Sequence, residues 1–298
     1  MKVPGEIEPT TLRRAVEQAF AVQIGLADAP AQGFADWKSL ARVVAGLAVA
    51  SGSRVIGISG SQGSGKSSLA QTLAAALNRS TNSAVACSLD DFYLTRQERA
   101  LLAREVHPLL STRGVPGTHA CDWLREVLQS VHSGQRNLRI PQFDKGLDER
   151  AGTLDATADI LILEGWCVGV APQPEGLLAQ PCNALERDED AQGVWRGWVN
   201  AQITQHYQPL WAHVDLWLHL RVPGFAQVVA WREQQEFSLP GAQRMSKLEL
   251  ERFIAHYERL TRWQWRHPAR GPGLLVQLDA QHGVEGVTVS AGTVIESQ

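Results

Sequence analysis

Five mostly apolar residues running straight into a Gly/Ser loop that closes on a lone lysine constrain this chain most; the stretch reads VIGISGSQGSGKSSLA, Val55 to Ala70. The VIGIS segment is apolar and β-branched and stops at a turn signal, the pattern of a short buried strand. Gly60 follows, then four residues and Gly65-Lys66-Ser67, the spacing G-x-x-x-x-G-K-[ST]. The next residues, SSLAQTLAAALNR, place apolar side chains at helical spacing. Strand, glycine-rich loop and helix stand in the order that a phosphate cradle requires. Glycines let backbone N–H groups wrap around phosphate oxygens, and the helix start adds the positive end of its dipole. On this reading Gly60, Ser61, Gln62, Gly63, Ser64, Gly65, Lys66, Ser67 and Ser68 hold ATP. Lys66 reaches the outer phosphates as a point charge, and the Ser67 hydroxyl ligates Mg²⁺. A flexible Gly/Ser turn that matches by chance is the competing reading, and the flanking strand and helix weigh against it.

The composition narrows the partners. With 298 residues, 44% apolar and 20% charged, the chain can bury a sizeable core. A net charge of −3 points to neither a nucleic-acid nor an anionic-membrane surface. Cys87, Cys121, Cys167 and Cys182 lie far apart without a C-x-x-C pair, which argues against a zinc site or a disulfide framework. They suit buried thiols in a reducing cytosol. The opening residues MKVPGEIEPT carry no targeting pattern, and no apolar run approaches a membrane span. A soluble, cytoplasmic protein with a small-molecule substrate is expected.

Four further apolar runs, AVACSL, ADILILEGWCVG, VDLWLHLRV and GLLVQLDA, alternate with helical patterns. Such alternation predicts an α/β fold, a five-stranded parallel sheet with helices on both faces. No clean boundary divides the chain, so residues 1–298 are expected to form a single domain, with 1–50 as an N-terminal helical extension. LRIPQFDKGLDERAG reads as a short edge hairpin or loop, and the Pro-, Gly- and acid-rich residues 171–194 as a surface loop.

SLDDFYLT, RGVPGTHA, IPQFDKGLDERAG, LILEGWCVG and the helical WREQQEF…MSKLELERFIAHYERL, spread from about residue 54 to 280, together resemble the D-glycerate 3-kinases of plants and their fungal and bacterial relatives. Those belong to a wider P-loop kinase group with uridine kinase, phosphoribulokinase and bacterial pantothenate kinase. The resemblance implies the P-loop NTPase fold with a helical lid over 223–265, and ATP and Mg²⁺ as cofactors. It also implies transfer of the γ-phosphoryl to the 3-hydroxyl of D-glycerate, a small hydroxy acid.

A carboxylate at the C-terminal end of the second strand would face the γ-phosphate, since ligands bind at that edge of an open α/β sheet. Asp90 stands there, and by the family pattern Asp90 rather than Asp91 is the base. Its ordinary pKa lies far below that of an alcohol, so it would orient the hydroxyl and take the proton late. A turn or helix cap is the plainer use of two such residues, Asp91 especially. Glu164 ends the third strand, where the resemblance implies an Mg²⁺ contact, direct or through water; a solvated strand-end Glu is the alternative. Arg113, Lys145 and Arg150 lie in the two loops that the resemblance places around the acceptor, with His119 and Asp144 available to its hydroxyls. Arginine suits bidentate carboxylate recognition, although each of these could be an ordinary surface charge. One departure stands out: Ala120 follows His119 where the family has Asp, so that contact passes to Asp122 or is lost. Arg232 and Arg244 flank the turn between the late helices, and the resemblance implies that a lid brings Arg to the transferring phosphoryl; surface arginines are the alternative. The ten tryptophans read as packing rather than a base-stacking platform.

Two other readings compete with a glycerate kinase. One is a kinase of the same fold acting on a nucleoside, pantothenate or sugar phosphate. The other is a non-enzymatic nucleotide switch. The chain has no N-K-x-D or T-K-x-D to read guanine and no L-S-G-G-Q, and a base aimed at an alcohol has no use in a switch.

Overall fold

A computed structural model describes residues 37–79, 82–237 and 245–291. The phosphate-loop unit comes first: helix α1 (Trp37–Ser51), strand β1 (Val55–Gly60) and helix α2 (Lys66–Leu77). Strand β2 (Ala84–Ser88) runs into a 3₁₀ turn, Leu89–Phe92, and helices α3 (Arg96–Glu105) and α4 (Cys121–His132) follow. Strands β3 (Asn137–Asp144) and β4 (Glu149–Thr157) pair as an antiparallel hairpin, and β5 (Ile160–Gly165) returns to the sheet. Beyond it lie α5 (Ala184–Glu189), α6 (Val194–Gln202), β6 (Leu216–Arg221), α7 (Phe225–Phe237), α8 (Lys247–Arg266), β7 (Pro272–Leu278) and β8 (Val284–Ala291).

The main sheet has the order β2-β5-β1-β6-β7-β8. Its first five strands are parallel, as the alternation of apolar runs and helices predicts. The sixth, β8, is an antiparallel edge strand that the sequence reading did not anticipate. Both faces are covered, and the strand residues divide between them with period two. Leu161, Leu163 and Trp217 enter one core with Leu124, Leu128 and Tyr257 of α4 and α8. Ile56, Ile58, Ile162 and Leu218 enter the other with Leu40, Leu47, Leu69 and Leu73 of α1 and α2. All six residues of β1 are buried, as are all six of β5, which is why they read as unbroken apolar runs. Gly57 interrupts β1 because the Trp217 ring lies against it; a Cβ there would come within 2.7 Å of the ring.

The hairpin of β3 and β4 stands outside the main sheet, anchored by buried Leu138 and Ile140. Residues 171–194 are not a plain surface loop. They carry α5 and bury two carboxylates, each matched by a cation: Glu186 with Arg259 at 2.5 Å and Asp190 with Arg196 at 2.8 Å. Charges removed from water are tolerated only in such pairs, so acid-rich sequence here marks an ionic core. Of the expected N-terminal extension, α1 is described and packs on α2; residues 1–36 lie outside the described residues. The two expected lid helices are α7 and α8. Tyr257, Leu260 and Trp263 sink the later half of α8 into the core, making it a wall rather than a free arm.

Candidate active site

The strands deliver three functional segments to one edge of the sheet, the C-terminal ends of β1, β2 and β5. The loop after β1 has the shape that phosphate binding needs. Gly63 and Gly65 take φ of 79° and 84°, the left-handed region that favours glycine. Both are also crowded: a Cβ on Gly63 would meet Trp231 at 2.7 Å, and one on Gly65 would meet the Trp37 ring at 3.2 Å. His282, in the turn before β8, bonds the Gly63 carbonyl at 2.7 Å and stacks on Trp231 at 4.0 Å between ring centres. The loop is thus held from outside by α1, α7 and the β7–β8 turn.

Inside the loop, Ser67 Oγ donates to Glu164 Oε1 at 2.8 Å, and Lys66 Nζ lies 4.0 Å from Glu164 Oε2. Glu164 is 5% exposed, and its Oε2 has no hydrogen-bond partner, as is true of the buried hydroxyls of Ser61 and Ser64. A hydroxyl and a carboxylate in contact beside an ammonium form the hard-oxygen donor set that suits Mg²⁺ carried on nucleotide phosphates. Among the described residues no group of three His, Cys, Asp or Glu side chains forms a cage of its own.

The two aspartates after β2 divide their work. Ser88 at the start of the 3₁₀ turn forms a capping box with Asp91, whose Oδ2 accepts from Ser88 N at 3.1 Å. Asp90 points elsewhere: Oδ1 accepts from the Tyr93 hydroxyl at 2.7 Å and Oδ2 from Lys145 Nζ at 2.5 Å. Burial works to raise the Asp90 pKa, but Lys145, Tyr93 and the more distant Lys66 outweigh it and hold the carboxyl below its usual range. Asp90 is therefore a carboxylate in use, and Asp91 a cap.

The hairpin and the RGVPGTH loop meet around this carboxylate. Arg113 pairs with Asp148, donates to the Lys145 carbonyl at 3.2 Å and lies over the Phe143 ring. Arg150 donates to the Tyr93 carbonyl at 3.3 Å. Asp144 Oδ1 accepts from the amides of Gly146 and Leu147, so it shapes the hairpin turn. His119 is 4% exposed and stacks on Tyr93. Burial pushes its pKa down to about 4, so the ring is neutral. The Tyr207 hydroxyl accepts from the Gly117 amide at 2.9 Å and shares a hydrogen bond with His119 Nδ1 at 2.6 Å, while His119 Nε2 is buried and without a partner. Ala120 begins α4 with no side-chain cap, and Asp122 turns outward, its side chain 86% exposed against Arg125, so it does not replace the missing carboxylate.

Arg232 bonds its own helix neighbour Glu236 at 3.0 Å and lies over Phe253 of α8. Arg244 lies outside the described residues. Several residues at this edge escaped the sequence reading: Tyr93, Tyr207, Asp148, Trp37, and Arg99, which is 2% exposed and binds Asp148 at 2.7 Å. Tyr93 alone left a signal, standing three residues after Asp90 in one turn.

Comparison with known proteins gives a consistent picture. A family model described as phosphoribulokinase / uridine kinase matches residues 55–173. An uncharacterized kinase, mug58, of Schizosaccharomyces pombe is 35% identical over 218 residues, covering 68% of this chain and 78% of the relative. The chloroplastic D-glycerate 3-kinase of Arabidopsis thaliana is 26% identical over 220 residues, 68% of this chain but only 46% of that protein. Among solved structures, D-glycerate 3-kinase from Cryptococcus neoformans superposes with a TM-score of 0.67 at 24% identity, covering 79% of this chain and 89% of that one, a likeness of fold.

Proposed function

The chain belongs to the phosphoribulokinase / uridine kinase family of P-loop kinases, and on that premise we propose that it phosphorylates a small hydroxy acid, D-glycerate, at its 3-hydroxyl. The observation that supports the substrate reading is Lys145 on the Asp90 carboxylate, with Arg113 bonded to the Lys145 carbonyl and Arg150 to the Tyr93 carbonyl beside it. Cations next to a base suit an acceptor that carries its own carboxylate next to the reacting hydroxyl. A neutral nucleoside would have no use for these cations, and the rings present, Phe143, Tyr93 and His119, pack against one another.

In the proposed reaction the loop amides and Lys66 hold the ATP phosphates, and Ser67 and Glu164 would hold a Mg²⁺ ion, which would supply charge neutralisation on those phosphates. The chain's own work is positioning: Asp90 accepts the acceptor hydroxyl's hydrogen bond and takes its proton late, as the oxygen bonds to phosphorus. Tyr93 fixes the rotamer of Asp90, and the cations fix the acceptor carboxylate. Trp231 of α7 packs beside Gly63 of the phosphate loop, and Tyr257 of α8 beside Gly114 of the acceptor loop.

Replacing Arg113 by Ala raises KM for D-glycerate by about tenfold or more, the scale of one lost charge-assisted hydrogen bond, and leaves KM for ATP unchanged. Glu164→Gln keeps the Ser67 contact but loses a charge, so it raises the Mg²⁺ concentration needed for half-maximal rate. The deciding experiment is ATP consumption over a panel of hydroxy acids, nucleosides and pantothenate, with the phosphorylated position assigned by NMR. Turnover with uridine or pantothenate and none with D-glycerate would overturn the substrate reading, and Ala120 would be the first residue to revisit.

A further inference from the structure

We propose that Lys145 makes the site selective for anionic acceptors by occupying Asp90 until such an acceptor draws it away. The proposal rests on the reading of Asp90 as the base. Both oxygens of Asp90 are engaged in the structure: Oδ1 by Tyr93 and Oδ2 by Lys145 Nζ at 2.5 Å. Tyr93 is a fixed partner, buried and stacked on His119. Lys145 is not, because its side chain is 60% exposed at the tip of the hairpin.

The backbone of that tip is pinned. Asp144 ties the amides of Gly146 and Leu147, Arg96 donates to the Leu147 carbonyl at 2.9 Å, and Arg113 to the Lys145 carbonyl at 3.2 Å. Arg99 and Arg113 clamp Asp148 next in line. The freedom left at the tip belongs to the lysine stem, a flexible four-carbon chain with three donors at its end. It can trade one anion for another without moving the hairpin.

An acceptor with a carboxylate offers Lys145 an equivalent partner in the same place, and the exchange frees Oδ2 for the reacting hydroxyl. A neutral alcohol offers no such exchange, and neither does water. Hydrolysis needs the same base: water oxygen bonds to the γ-phosphorus, the bond to the bridging oxygen of ADP breaks, and the water proton passes to Asp90. With Lys145 on Asp90, the ammonium offsets the carboxylate's charge and holds Oδ2, which makes Asp90 a weaker acceptor for that proton. One ion pair therefore suppresses ATP loss in the empty site and rejects uncharged acceptors.

The test begins without any acceptor. Lys145→Met, which keeps the stem and removes the charge, raises ATP hydrolysis by roughly tenfold or more, toward the lower end of a general base's contribution. Adding Asp90→Asn abolishes the gain. Lys145→Arg restores the low rate, and Lys145→Gln repeats the effect should the methionine variant fail to bind ATP by calorimetry. With acceptors present, the preference for D-glycerate over glycerol falls by about tenfold in Lys145→Met, as one charge-assisted contact is lost. Hydrolysis at or below the wild-type rate in a variant that binds ATP, or a gain that survives Asp90→Asn, overturns the proposal. The hydrolysis experiment contains no acceptor, so failure of D-glycerate alone overturns only the substrate reading, whereas efficient turnover of an uncharged acceptor such as uridine by the wild type overturns the selectivity proposed here.

Discussion

Lys66→Ala abolishes detectable ATP turnover and leaves the fold intact. The reason lies in where the lysine sits. It opens α2 at the end of the glycine loop, and its ammonium lies 4.0 Å from Glu164 inside the cradle. No apolar core depends on it, because the helix is anchored by Leu69, Leu73 and Leu77 on the opposite side. What is lost is the cation aimed at the phosphoryl group as charge shifts in the transition state. A single preorganised electrostatic contact of this kind is worth about 10²–10³ in rate, enough to drop a modest kinase below detection. Coupled ADP release measures the loss, and a thermal melt coincident with wild type excludes unfolding. Wild-type turnover in this variant would mean that the loop is not a phosphate cradle.

The parts of this molecule that the sequence makes legible are those that depend on neighbours in the chain. VIGIS, ILILEG and VDLWLHLRV read as strands because both faces of a parallel sheet are buried, which leaves an unbroken apolar run. The phosphate loop is readable because glycine, lysine and serine act within one turn of each other. β8 was harder to see: it is an edge strand whose only apolar pattern is Val284, Val287 and Val289, out of step by a bulge at its start. Residues 171–194 misled because acid-rich composition normally means solvent, and the partners Arg196 and Arg259 lie outside that stretch. The site shows the same division. Asp90, Lys66 and Glu164 follow from strand ends, whereas Tyr207 reaches the Gly117 amide and the His119 ring across the fold. No local spacing could announce that contact. Nor could it announce Trp37 against Gly65, which ties the start of α1 to the phosphate loop.

Asp90→Asn lowers kcat by about 10²–10⁴, the span of a general base, with the affinity for ATP little changed. The substitution is nearly isosteric. Asn can still accept from the Tyr93 hydroxyl through Oδ1, so the geometry of the turn survives. Lys145 loses its partner but is 60% exposed and stays solvated, which spares the fold the cost of a buried lone charge. The remaining change is the carboxylate's ability to take a proton, and only kcat reports that. The neighbour supplies the control. Asp91 caps the 3₁₀ turn through the Ser88 amide, and Asn keeps an acceptor oxygen for it, so Asp91→Asn changes stability by less than about 1 kcal/mol and spares the chemical step. Lys145, Tyr93 and Lys66 together hold Asp90 below the usual carboxylate range against its burial, so it remains ionised across neutral pH. The kcat/KM of the wild type, which reports the free enzyme, therefore has no acidic limb from this group above that range. Rate profiles of the two variants at fixed Mg²⁺, read beside their melting curves, separate the roles. A collapse of kcat in Asp91→Asn, with Asp90→Asn near wild type, would exchange the assignments and move the base one residue along the turn.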